Sequence, residues 1–253
     1  MQIIITNTLT SRQYHEALSL INECKEFDNT RGISFLEPEM NYYSEFPCFY
    51  MLYDNDILAS FLSVFIPNSD ECEIYANTMP DYRRKGYFEY LLDDALKHLK
   101  QANIEKILIV NEPGCMSGTD YLKNSENTTF AYSEYLMKYD MVTKPVPKNI
   151  LTLESFSDDN TETFFSYQDG QTIGSCKVEH NRGVATIYEF EITPALRGNG
   201  FGTETLLLIL EQLLSSGCHK ILLQVNGANT AAHAMYTHHG FIHEEQIDYW
   251  IYA

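Results

Sequence analysis

At 253 residues, 44% of them hydrophobic with 13 glycines and 8 prolines, the chain has the composition of a globular protein and the length of one large domain or two ordinary ones. Acidic residues outnumber basic ones 35 to 17, with −11 over residues 1–143 and −7 over 144–253, which argues against a nucleic-acid backbone or an anionic membrane as partner and favours a cationic or polar small molecule. No apolar run reaches 18 residues, the first stretch has neither a basic segment nor a cleavage pattern, and the six scattered cysteines contain no C-x-x-C, so a cytoplasmic, non-exported protein with reduced thiols is expected.

The first half reads as an apolar strand, a turn at Asp54-Asn55-Asp56, a second strand, and an alternating strand ending at Pro80. A basic glycine loop follows, Arg83-Arg84-Lys85-Gly86-Tyr87-Phe88, and then a helix and the strand around Lys106-Ile107-Leu108. "TKPVPKN", residues 143–149, reads as a linker, because Pro145 and Pro147 favour extended backbone. Beyond it, residues 170–180 and 183–193 read as strands joined by a turn at Asn181-Arg182-Gly183, with Tyr188, Phe190 and Ile192 alternating on the second. The run "LRGNGFG" leads into a helix over 203–216 whose wide apolar face carries Leu206, Leu207, Ile209, Leu210, Leu213 and Leu214. A buried strand at 220–225, a helix opened by Asn229 and closed by Gly240, and a final strand region at 241–252 complete the order.

The two halves repeat each other. Sliding the chain by 114 residues lays 79–110 on 193–224 without a gap, so that Pro80 meets Pro194, Arg83 meets Arg197, Gly86 meets Gly200 and Lys106 meets Lys220. Thirty ungapped positions point to two copies of one domain. The expected fold class is mixed α/β of the α+β kind, two tandem domains each with a mostly antiparallel mixed sheet flanked by helices. The expected boundaries are 1–142, a linker at 143–149, and 150–253.

Glycines 198, 200 and 202 weaken a helix at its start, which makes sense where backbone must approach a ligand closely. A helix N-terminus offers unpaired N–H groups and partial positive charge, so the candidate ligand is an anion such as a phosphate. The position of the loop after a meander disfavours a dinucleotide fold, and the P-loop lysine is missing.

These surroundings resemble the GCN5-related N-acetyltransferases. Their coenzyme loop, Gln/Arg-x-x-Gly-x-Gly/Ala, matches Arg197, Gly198, Asn199, Gly200, Phe201 and Gly202, and their second motif, Asn-x-x-Ala-x-x-x-Tyr with Gly-Phe, matches Asn229, Ala232, Tyr236, Gly240 and Phe241. The resemblance covers 150–253 well and 45–112 more weakly. It implies acetyl-CoA as cosubstrate, bound by Ile192, the loop 197–202, Asn229 and Tyr236, and direct acetyl transfer in a ternary complex to a primary amine of a small molecule or peptide. It also assigns Tyr236 to protonating the leaving thiolate and Glu189 to acting as base, with Glu191 expected on the same strand face.

In the first copy Phe88 stands where Gly or Ala is expected, and no Asn/Tyr/Gly-Phe signature follows. That copy, with Arg83, Arg84, Lys85, Gly86, Tyr87 and Phe88, is either a variant second coenzyme site or, as favoured here, a degenerate partner that shapes the acceptor pocket. His239 and His243 are separated by Gly240 and share no helix face, so no metal is expected. A non-catalytic acyl-CoA-binding or regulatory protein of the same fold and, more remotely, an S-adenosylmethionine-dependent methyltransferase are the alternatives. Oligomeric state stays open between monomer and homodimer.

Overall fold

The computed structural model describes all 253 residues. The chain divides into two compact units, one of residues 1–132 with 247–253, the other of residues 133–246. This division differs from the one expected at 143–149. Residues 133–142 go with the second unit, and the last seven residues described go with the first.

In the first unit the chain order is β1 (Gln2–Thr6), α1 (Ser11–Asp28), β2 (Phe49–Asp54), β3 (Ile57–Phe65), β4 (Glu71–Thr78), α2 (Tyr87–Gln101), β5 (Lys106–Asn111), α3 (Met116–Asn124) and the start of β6 (Thr128–Tyr139). Strands β1 to β4 are antiparallel neighbours in sequence order, and β4 then pairs parallel with β5 over Glu71–Ile74 and Lys106–Ile109 only. The outer partner of β5 is the segment Asp248–Tyr252. Four consecutive residues of β2, Phe49 to Leu52, are fully buried, so both sheet faces are covered there, and α1 and α2 both pack against β3. Helix α1 is opened by a reciprocal cap: the Thr10 side chain accepts from the Gln13 N–H while Gln13 accepts from the Thr10 N–H.

The second unit holds β7 (Thr152–Asp158), β8 (Thr161–Gln168), β9 (Gln171–Asn181), β10 (Val184–Ile192), α4 (Phe201–Ser215), β11 (Lys220–Asn226), α5 (Thr230–His238) and the start of β12 (Phe241–Tyr252). Its sheet runs β7-β8-β9-β10-β11 and closes on residues Glu134–Lys138 of β6. The turn at Arg182-Gly183 is left-handed at both residues, φ 49° and 82°, as the glycine there anticipates. The expected helices are present, with α4 beginning two residues earlier, at Phe201.

The 114-residue offset continues beyond the stretch legible in sequence. It lays α3 on α5 and β6 on the last strand, so Cys115 corresponds to Asn229, Tyr121 to Met235 and Leu122 to Tyr236. The units differ before their meanders. Where the first places α1 between β1 and β2, the second joins β7 to β8 by a two-residue turn, and most of β7 is exposed. No helix is long and apolar enough to cross a membrane.

Candidate active site

Each unit carries a loop between its fourth meander strand and the next helix, and the two loops share one backbone path. A short 3-10 turn begins at Pro80 or Pro194 and ends on Arg83 (φ −66°, ψ 156°) or Arg197 (φ −64°, ψ 156°), and the helix is entered through Gly86 (φ 81°) or Gly200 (φ 82°). The second left-handed position is Gly198 in one copy and Arg84 (φ 60°) in the other. A non-glycine residue accepts that conformation at a cost, so the loop shape is kept where the sequence no longer favours it.

In the second unit a side chain added at Gly198 or Gly200 would meet no atom within 4 Å. The space above the loop is open, and the unbonded N–H groups at the start of α4 border it. Gly202 is closer to its surroundings: an added Cβ would stand 3.4 Å from Met235 Sδ and 3.5 Å from Ile192 Cγ1. Phe201 packs on the cluster of Leu151, Ile173 and Ile192. Asn199 is exposed and folds back on the loop, its Nδ2 donating to the Leu196 and Arg197 carbonyls. Arg197 braces the loop, with Nε donating to the Ile192 carbonyl at 2.9 Å and a terminal nitrogen 3.6 Å from Glu191.

The strand feeding this loop is bulged. Pairing of β10 with β9 slips between Tyr188 and Glu191, and Glu189 takes φ 48°. The extra residue interrupts the period-two alternation from which Glu189 and Glu191 were expected to share a face. Glu189 is exposed and pairs with Lys177 at 2.7 Å. Behind the strand, Asn229 caps α5 by accepting from the Ala232 N–H, and Tyr236 is buried with its ring edge-on to Phe190 and Phe241. Burial raises the Tyr236 hydroxyl above the ordinary tyrosine range, so it holds its proton at neutral pH.

The first unit has a cavity of about 690 Å³ at its loop. It lies where β4 and β5 part beyond Ile74 and Ile109 and is lined from β4 by Asn77 and Thr78, from β5 by Asn111, and from α3 by Ser117 and Tyr121. Arg83 is committed to the wall. Its guanidinium takes both Asp28 carboxylate oxygens at 2.8 and 2.6 Å, Ser117 Oγ at 3.1 Å and the Thr78 carbonyl at 2.9 Å. Arg84 and Lys85 are the exposed cations of this loop, the first 3.7 Å from Asp120 and the second over the Tyr82 ring. Tyr87 donates to Asp54, and Phe88 meets Tyr121 edge-on at 5.0 Å between centroids. Phe88 and Tyr121 thus occupy the places that Gly202 and Met235 hold in the other copy: a larger residue on the helix goes with a different partner on the facing one.

The cavity residues Asp28, Asn77, Asn111 and Ser117 carry no motif. The continuation of the repeat places Leu122 at the position that Tyr236 holds in the second copy.

A meander, a left-handed loop at a helix N-terminus and two partly separated parallel strands, present twice, define a tandem acyltransferase fold. The profile of the acetyltransferase (GNAT) family matches residues 14–115 and 129–241, and the chain belongs to that family. It is similar to a mycothiol acetyltransferase of Amycolatopsis mediterranei, with 40% identity over 67 residues, a stretch that is 26% of this chain and 22% of the relative's length. Among solved structures it resembles a GCN5-related N-acetyltransferase of Sphaerobacter thermophilus, with TM-score 0.79 and 12% identity over 98% of this chain and 95% of that one. It also resembles a tandem GNAT protein from the clavulanic acid biosynthesis pathway, with TM-score 0.66 and 11% identity over 99% and 98%. At such identities these structures speak for the fold.

Proposed function

We propose that the chain is an acetyl-CoA-dependent N-acetyltransferase that acylates a primary amine of a small molecule or peptide directly, with the chemistry in the second unit. The observation that carries this is the joint presence there of the open glycine loop, the bulged strand and a buried tyrosine, whereas the first unit has leucine at the tyrosine's position. Backbone N–H groups from Gly198 to Gly202 suit a pyrophosphate, the Arg197 N–H being taken by the Pro194 carbonyl, and Asn229 and Ile192 border the path onward. When bound, the coenzyme supplies an activated acetyl thioester. Glu189 receives the ammonium form of the acceptor and takes its proton. The Tyr236 hydroxyl, kept protonated by burial, donates toward the departing sulfur, whose own pKa the same desolvation raises.

A second reading is favoured for the first unit alone. Its loop has the same path and opens on a cavity, yet Leu122 offers no proton, which suits binding of an acyl-CoA without transfer.

The test is release of free coenzyme A from acetyl-CoA across a panel of amines, together with binding by native mass spectrometry. Tyr236→Phe should leave binding intact and slow turnover by about 10²–10⁴. Gly200→Val should abolish both turnover and binding to the second unit. Tight binding without release for any amine would overturn the enzyme in favour of an acyl-CoA-binding protein, and loss of activity with Gly86→Val but not Gly200→Val would place the chemistry in the other unit.

A further inference from the structure

One cluster of metal-ligating side chains in the second unit has no part in the proposed transfer. His233, on α5, and His243, on β12, bring their Nε2 atoms to 2.6 Å from each other. Both rings lean on Tyr135 of β6, with centroids 5.5 and 4.6 Å away, and they meet each other edge-on at 4.8 Å. Tyr135 is fixed in turn by the close approach of Gly227, where an added Cβ would fall 2.8 Å from its ring. The pairing differs from the one weighed in the sequence, since Gly240 turns His239 away and lets the strand carry His243 back to the helix.

Two imidazole nitrogens that face each other share a single proton, and turned toward a common point they share a single cation. With metal–nitrogen bonds of about 2.0 Å, two cis ligands stand about 2.8 Å apart at right angles and about 3.3 Å apart in a tetrahedron. A small swing of the exposed His243 ring opens the pair to either spacing. The surrounding sequence carries little competing positive charge: residues 221–246 contain no lysine or arginine and include Glu244 and Glu245, the first of them paired with Lys220 at 3.2 Å. Imidazole pairs select late transition ions, whereas magnesium and calcium require oxygen ligands.

We propose that His233 and His243 form a surface site for one divalent late transition-metal ion, such as copper, nickel or zinc, with water completing its coordination. The ion would clip α5 to β12. Neither Tyr236 nor the glycine loop contributes a ligand, so the site does not depend on the transfer reading.

The test is calorimetric titration of the intact chain with Cu(II) and Ni(II), with Mg(II) as the control, alongside thermal unfolding. One equivalent of Cu(II) and of Ni(II) should bind and raise the Tm, and Mg(II) should do neither. His233→Ala and His243→Ala should each weaken binding at least tenfold, while His238→Ala, outside the pair, leaves it unchanged. Circular dichroism on each variant separates lost ligation from lost folding, and His243→Gln provides a second, milder ligand deletion. Absence of saturable binding, or binding indifferent to both His243 variants, would overturn the proposal and leave a proton-sharing pair.

Discussion

Arg83 is where several elements of the first unit are tied together. Its side chain joins the end of α1 through Asp28, the end of β4 through Thr78 and the start of α3 through Ser117, and the side chains of the ion pair are only 14% and 8% exposed. Removing the carboxylate leaves a largely buried guanidinium without its counter-charge. Asp28→Asn should therefore lower the stability of this unit by about 3 kcal/mol, measurable by urea unfolding. A loss below a few tenths would mean that water replaces the pair. Glu16, also in α1, provides a pH test. The Tyr53 hydroxyl, and after it Arg12, hold its carboxyl below the ordinary carboxylate range. The folded chain thus binds fewer protons there than the unfolded chain, whose glutamate titrates near about 4.3. The stabilisation is complete above that value and is lost as pH falls through the folded-state value. Glu16→Gln should flatten the acid side of the stability curve, and an unchanged slope would show that the contact has no energetic weight.

The helices opening at the two loops are held differently. In α4, Glu204 is 3% exposed, and its two carboxylate oxygens accept the Lys148 and Ile150 N–H groups, strapping the segment before β7 to the first turn. The matching residue of α2 is Tyr90, half exposed. Glu204→Ala strands two backbone donors and should cost roughly 1–3 kcal/mol, read as earlier thermal unfolding of the second unit. If the strap also positions the loop, acetyl-CoA should bind more weakly in that variant. Much of this level was legible beforehand: the last three strands of each meander, the helix after Gly200 and the helix capped by Asn229 follow from periodicity and punctuation, while β1 and β7 do not. The bulge at Glu189 was not, because a single inserted residue leaves the composition of a strand unchanged. Nor was the first unit's cavity, whose lining comes from five elements brought together only by folding. The shared loop path was hidden for a different reason, since Arg84 takes a backbone conformation that sequence assigns to glycine.

The first unit takes its closing strand, residues 248–252, from beyond the second unit in sequence, whereas residues 134–138 complete the second sheet from within that unit's own stretch. Deleting 247–253 should therefore unfold the first unit and spare the second, an outcome that limited proteolysis of the two would resolve. Survival of both units would mean that β5 tolerates an open edge. The chain's single tryptophan, Trp250, lies in that segment, pairs with Ile109 across the sheet and belongs to the first unit's buried core. Its emission therefore follows the unfolding of a unit made mostly of residues 1–132, although its number suggests the opposite. The same arrangement orders biosynthesis. On the ribosome, residues 1–132 emerge first but cannot close their sheet until every residue of the second unit has been made and the tryptophan strand has left the exit tunnel. In the interval β5 presents an unpaired edge, the kind of surface that invites strand addition by a neighbouring nascent chain. The half that is synthesised first is thus the last to have all of its strands available.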